Sequence, residues 1–388
     1  MTSSPGANIS LIMPSVTDVK RFMRAITSGD GAGVRSMAAG DAGLVSATDP
    51  DCFGTTPLIC AVGTGERSMV ELLLELGADI DQRSEWWAGS FGVLDSADDE
   101  MSEYLLGRGA TLTPHAAARL GKIDQLRAML DADPSIVHAR GGDGQMPLHF
   151  ARTVEIAELL LSRGAEIDAL DRDHASTPAQ WLGESRPEVA AYLVRRGAKA
   201  DAFMAARIGD PLLLDKTVRS EPGGLEARVT RERFPAAPPA AGHIYIYTIG
   251  EGCGLVHAAT QANQPASIAW LAAHGADMGV RGGYDHATAL HVAAWGDKTE
   301  AATALLDAGA DINAVSGPMH HNEPIGWAIV GGSPKVFALL LASGAVLKEH
   351  HVEDAKRGAT GAFRAYNPRR PIDAWRRISD MLARNRRA

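Results

Sequence analysis

Cysteine is scarce in this chain of 388 residues, with Cys52, Cys60 and Cys253 making up the full set. The three form neither a metal-ligand spacing nor a disulfide framework, and Cys60 falls on an apolar helix face, which points to reduced thiols in a cytoplasmic setting. Long apolar runs are missing as well. No stretch of ~20 apolar residues exists to span a membrane, and the start MTSSPGANISLIMPS has neither the basic opening nor the sustained apolar segment of a signal peptide. Catalytic signatures are equally thin: there is no H-x-x-x-H or C-x-x-C spacing and no nucleophile–base motif. The glycine-rich Gly250-Glu251-Gly252-Cys253-Gly254 lacks the lysine of a phosphate loop. Positive charge is in deficit, with Lys and Arg totalling 38 against 47 Asp and Glu, a net of −9, which argues against general nucleic-acid binding. The basic residues that exist gather at the end, where residues 369–388 hold seven arginines against Asp373 and Asp380, a local +5 that leaves −14 on the other 368 residues. That end reads as a solvated cap. These absences lead to the expectation of a soluble cytoplasmic protein with no cofactor, no bound metal, no nucleic acid and no membrane partner.

What is present is repetition. The stretch TALHVAAWGDKTEAATALLDAGADIN, from Thr288 to Asn313, reads as an N-cap, a short apolar helix over Ala289–Ala294, a polar turn, a second helix over Glu300–Asp307, and a glycine stop at Gly309. Neither helix reaches the ~12–15 residues at which an isolated helix becomes marginal in water, so each must lean on neighbours. Thr56-Pro57-Leu58 with Leu73-Leu74 and Gly77-Ala78-Asp79 is a second copy, and Leu73 and Leu306 are expected core leucines. Gly-Ala pairs recur at 77, 109, 164, 197, 275, 309 and 344, with intervals of 32, 33, 34 and 35 and two larger gaps of 55 and 78 that each conceal a degenerate unit. The pattern T-P-L-H-x-A-A, glycine turn, L-L helix, G-A-D-x-N resembles the ankyrin repeat, and the layout with its W-W segment and I-Y-I-Y-T insert resembles bacterial-type ankyrin-repeat proteins. The resemblance implies an all-α solenoid of about ten helix-turn-helix units.

Five segments are expected in order. A leader and N-terminal capping repeat occupy 1–53, with helices over Val16–Thr27 and Gly31–Ala39; repeats occupy 54–220 and 255–347; capping helices occupy 348–388. Within the first array, Ser84 to Ser90 has no T-P-L-H, so its first helix is shortened or remodelled. Between the arrays, residues 221–254 contain Pro222, Pro235, Pro238 and Pro239 followed by His243-Ile244-Tyr245-Ile246-Tyr247-Thr248-Ile249. The β-branched and aromatic run predicts a strand, and the insertion a β-ribbon that leaves the stack as an arm able to fold over a face.

The resemblance implies a scaffold that binds a protein in a concave groove. Trp86, Trp87, Tyr245, Tyr247, Trp295 and Trp327 are the candidate binding residues, since flat rigid aromatics are favoured interface anchors. A reading of another class stays open, in which an enzyme or small-molecule binder uses a His/Trp-lined groove under the Tyr245–Tyr247 arm. Its acid–base candidates are His291, His320, His321 and Glu323, the last three dense enough in sequence to seat a metal. His149, His257 and His291 occupy the histidine of T-P-L-H, which in ankyrin repeats hydrogen-bonds between successive turns.

Overall fold

Capping chemistry accounts for the short helices seen throughout the structure, a computed structural model describing residues 14–221, 223–317, 322–368 and 370–385. The Thr56 and Thr113 hydroxyls accept the backbone N–H groups of Ile59 and Ala116, with Pro57 and Pro114 at the first helical position, where a missing N–H costs nothing and the fixed φ suits the helix. The glycines of all seven Gly-Ala junctions have positive φ, between 81° and 107°, a left-handed conformation that glycine adopts without a Cβ clash.

The chain forms two compact units, Met1–Glu166 with Asp171–Asp173, and Ile167–Leu170 with His174–Ala388. The first contains α1 (Val16–Thr27), α2 (Gly31–Gly40), α3 (Pro57–Thr64), α4 (Arg67–Glu75), α5 (Val93–Ser96), α6 (Asp99–Gly107), α7 (Pro114–Leu120), α8 (Ile123–Ala132) and α9 (Val154–Ser162). Helix α3 packs between α1 and α5, and α5 against α7, over a core in which Phe22, Ile26, Val70, Leu73 and Leu105 have no exposed surface. Two first helices are remodelled. One is the single turn α5, preceded by an irregular loop over 84–92, and the other is a tight 3₁₀ turn over Pro147–Phe150 packed against α7 and α9.

The second unit contains α10 (Pro178–Ser185), α11 (Pro187–Arg195), α12 (Ala202–Ile208), α13 (Pro211–Ser220), α14 (Leu255–Gln261), α15 (Pro265–Ala273), α16 (Ala289–Gly296), α17 (Thr299–Asp307), α18 (Pro324–Gly331), α19 (Pro334–Ala342), α20 (Glu349–Ala359) and α21 (Ile372–Asn385). Helices α10, α12, α14, α16, α18 and α20 touch in succession as one row, and α13, α15, α17, α19 and α21 as a second. Small residues allow the close approach of the first row, where Ala258, Ala259, Ala293, Ala294 and Ala328 are wholly buried. Trp375 closes the stack, 1% exposed, with its indole N–H donating to the Val330 carbonyl at 3.2 Å. A two-stranded antiparallel finger, β1 (Arg281–Gly282) with β2 (Ala287–Thr288), leads into α16. In α17 the fully buried leucine is Leu305, while Leu306 is half-buried; the expectation for Leu306 is off by one position.

The insertion departs from the sequence expectation. Ile246–Gly250 is a π-helical turn, not a strand, and the β pairing in the segment is a single antiparallel bridge between Arg228 and Gly254. Nor is the segment a free arm, since Ala227, Val229, Ile244, Tyr245, Ile249 and Cys253 belong to the main hydrophobic core. The physical reason is partner availability. Enrichment in Ile and Tyr marks residues that fit a half-buried surface, not an intrinsic extended backbone. Here Arg207 and the Gln261 amide donate to the Thr248 and Ile249 carbonyls, each at 3.2 Å, so those backbone acceptors are satisfied without a neighbouring strand.

Candidate functional site

The histidines of the repeats serve the stack. Nδ1 of His257 accepts the Gly254 N–H at 3.3 Å while its Nε2 lies 3.1 Å from the Ala287 carbonyl. Nδ1 of His291 accepts the Thr288 N–H at 3.2 Å, with Nε2 3.0 Å from the Asn322 carbonyl. A neutral ring that accepts at Nδ1 carries its proton on Nε2, which therefore donates to the following repeat. Burial pushes both imidazoles down to about 4 despite these carbonyls, so they stay neutral at ordinary pH. Both ring nitrogens of the candidate His291 are thus engaged.

His320 and His321 lie outside the described residues. Glu323, 3% exposed, is paired with the Lys348 ammonium, and His351 Nε2 sits 3.2 Å from its second carboxylate oxygen. Burial, the largest single influence, would raise the Glu323 carboxyl, but the Lys348 hydrogen bond, a backbone hydrogen bond and the charges of Lys348 and His351 together hold the group below its ordinary value. Ligand-type atoms of Glu323, His350 and His351 come within 4.8 Å of one another. His351 Nδ1, however, accepts the Lys348 N–H at 3.1 Å, leaving the proton on Nε2, the atom turned toward Glu323 and 2.8 Å from the Asn322 Oδ1. The trio is organised as an ion pair with hydrogen bonds, not as lone pairs converging on one point.

Tyr245 and Tyr247, which would share one side of a regular strand, part company on the helical turn. Tyr245 is fully buried, its hydroxyl 3.1 and 3.2 Å from the two carboxylate oxygens of Asp201. Asp201 caps α12 through the Met204 N–H, and burial raises its carboxyl above the usual range. Tyr247 is 55% exposed, with its hydroxyl donating to the Ala241 carbonyl at 2.9 Å and its ring 5.2 Å from His174. The recess against the insertion, lined by Leu225, Arg228, Gly254, Leu255 and Val280, has a volume of about 10 Å³, room for about one water.

The tryptophans divide similarly. Trp295 is half-buried with its ring 6.1 Å from that of Trp327, which also meets His291 edge-on at 5.3 Å. Trp295 therefore packs on the next repeat. Trp86 and Trp87 form the accessible group. Trp87 is 42% exposed and 6.1 Å from Trp86, and Trp86 meets Phe53 edge-on at 4.7 Å. The sequence reading omitted Phe53, which is 53% exposed, and Tyr284, which is 63% exposed. A usable signal was present, because each stands in the turn-rich segment just before a T-P-L or T-A-L start. The thiols offer no nucleophile at neutral pH in Cys60 or Cys253, which burial pushes up to about 11 and about 12.

Among the described residues no helix is long and apolar enough to cross a membrane. A family model of three ankyrin repeat copies matches residues 255–351, and a single ankyrin repeat model matches 53–85 and 143–172. The chain is 24% identical over 337 residues to the E3 ubiquitin-protein ligase KEG of Arabidopsis thaliana, covering 83% of this chain and 19% of that protein. It is 27% identical over 134 residues to the ankyrin repeat and SAM domain-containing protein 6 of Rattus norvegicus, covering 33% and 15%. The chain thus spans under a fifth of either relative. The crystal structure of the human ASB11 ankyrin repeat domain superposes with a TM-score of 0.36 at 20% identity, covering 61% of this chain and 100% of that one. Ankyrin repeats generally act as protein–protein interaction modules. With left-handed glycine junctions, paired short helices, histidines bridging successive units and family models matching three separate stretches, the chain is an ankyrin-repeat protein.

Proposed function

We propose that the chain is a protein-interaction scaffold that holds its partner against the connecting segments and first helices of its repeats. One observation carries this reading. Phe53, Trp87, Tyr247 and Tyr284, four of the exposed aromatic side chains, all stand in segments leading into a first helix. Exposed aromatics lose little conformational entropy on binding and bring large contact area, which suits a protein interface. The net charge of −9 favours a protein over a nucleic acid. The three free cysteines fit a reducing, cytoplasmic compartment.

The test is site-specific photo-crosslinking. A photoreactive amino acid placed at Phe53 or Trp87 in the first unit, or at Tyr284 in the second, should trap a partner protein, and one placed at Leu212, which is 84% exposed on α13 of the second row, should not. Equal trapping from Leu212, or none from the aromatic positions, would overturn the reading.

A further inference from the structure

We propose that Phe53, Trp86 and Trp87 form a docking platform for a basic, arginine-bearing peptide segment, whose guanidinium lies on the faces of Phe53 and Trp87. The proposal rests on the scaffold reading and narrows it to one surface and one partner chemistry.

The platform is held in place from several sides. Phe53 has a φ of 55°, a left-handed value that is costly for a bulky side chain. The tight turn from Asp49 to Thr55 imposes it, through Asp49 N–H to the Thr55 carbonyl and Thr55 N–H to the Cys52 carbonyl, each at 2.9 Å. The Glu85 N–H then donates to the Gly54 carbonyl at 3.0 Å, laying the Trp86-Trp87 run beside the turn. A Cβ on Gly54 would stand 2.7 Å from Glu85 atoms, so the approach requires glycine. Behind the rings, Ser84 and Phe91 close the loop by mutual hydrogen bonds at 2.8 and 2.9 Å. The aromatic surface is therefore rigid before any partner arrives, which removes an ordering cost from binding.

Charge selects the occupant. Residues 1–166 with 171–173 hold 25 acidic against 14 basic side chains, a net of −11, whereas the remainder of the chain holds 22 against 24, a net of +2. Carboxylates flank the platform itself. Glu85 adjoins Trp86 and accepts the Thr48 hydroxyl at 3.1 Å, and Asp51, two residues before Phe53, is paired with Lys20. Exposed indole and phenyl faces present negative charge density to a cation, and an arginine is the best match because its flat, weakly hydrated guanidinium stacks as well as pairs. A negative field of this size attracts a basic segment and repels an acidic one. Tyr284, on the part of the chain with net +2, lacks that selection.

Fluorescence anisotropy on the full chain tests this with short labelled oligoarginine, oligoserine and oligoglutamate peptides. Oligoarginine alone should bind at low salt. Phe53→Ala with Trp87→Ala, which leaves the charge unchanged, should weaken it about tenfold or more, Trp87→Phe should largely restore it, and Tyr284→Ala should have no effect. Glu85→Gln should weaken binding and flatten its salt dependence. Thermal melts matching the parent chain confirm that the exposed substitutions leave the fold intact. Undiminished oligoarginine binding by the doubly substituted chain, equal binding of oligoserine, or no oligoarginine binding would each overturn the proposal. Crosslinks from positions 53 and 87 to a partner lacking a basic segment would overturn it while leaving the scaffold reading standing.

Discussion

A single imidazole at each of His257 and His291 links one repeat to the next, and its neutrality makes that link sensitive to acid. Burial holds His243, His257, His291 and His351 down to about 4, whereas in the unfolded chain each titrates near ~6.5. As pH falls below ~6.5 the unfolded state takes up these protons first, so stability from this source is complete above ~6.5 and declines until about 4. Thermal melts should therefore fall in midpoint across that window, and His257→Gln with His291→Gln should flatten the dependence even though it lowers the midpoint at neutral pH. An unchanged slope would assign acid sensitivity to other groups. At the same scale, Leu305→Ala should cost ~2–5 kcal/mol and exceed the cost of Leu306→Ala, since Leu305 is wholly buried and Leu306 is not. Chemical denaturation measures both.

At the scale of elements, agreement follows the reach of the signal. Val16–Thr27 forms over the residues expected, because caps, proline and glycine act within a turn or two of themselves. The insertion and the loop over 84–92 did not follow from local pattern, because distant groups decide them. Removing residues 226–250 would leave helical content almost intact if they formed a free arm. Since Val229, Ile244, Tyr245 and Ile249 sit in the core, the deletion should instead expose Phe203 and loosen α12 and α14, read as a lower thermal midpoint and faster hydrogen exchange in those helices. Retention of the parent midpoint would show that the segment is peripheral. Gly89 gives a sharper case: a Cβ there would lie 1.8 Å from the Gly141 carbonyl oxygen. Gly89→Ala should displace the loop over 84–92, detectable as new protease cleavage within it, while α3 and α4 retain their protection.

At the scale of the molecule, repeats share stability with their neighbours. Loss of Leu305 should accelerate exchange in α15, α17 and α19 together, given that α17 packs against both others; a change confined to α17 would contradict cooperative stacking. The distribution of charge is also a property at this scale, and the contrast of −11 and +2 became visible once the boundary near residue 170 was known.

The repeat period, the capped short helices and their glycine ends could be read from the chain alone, because each depends on residues close together. Tertiary structure alone decided that Tyr245 is a core residue, bonded to Asp201 44 positions earlier, and that Phe53 and Trp87 remain accessible. Exposure depends on what the rest of the chain brings alongside, and an aromatic residue carries no local mark of whether a distant segment will cover it.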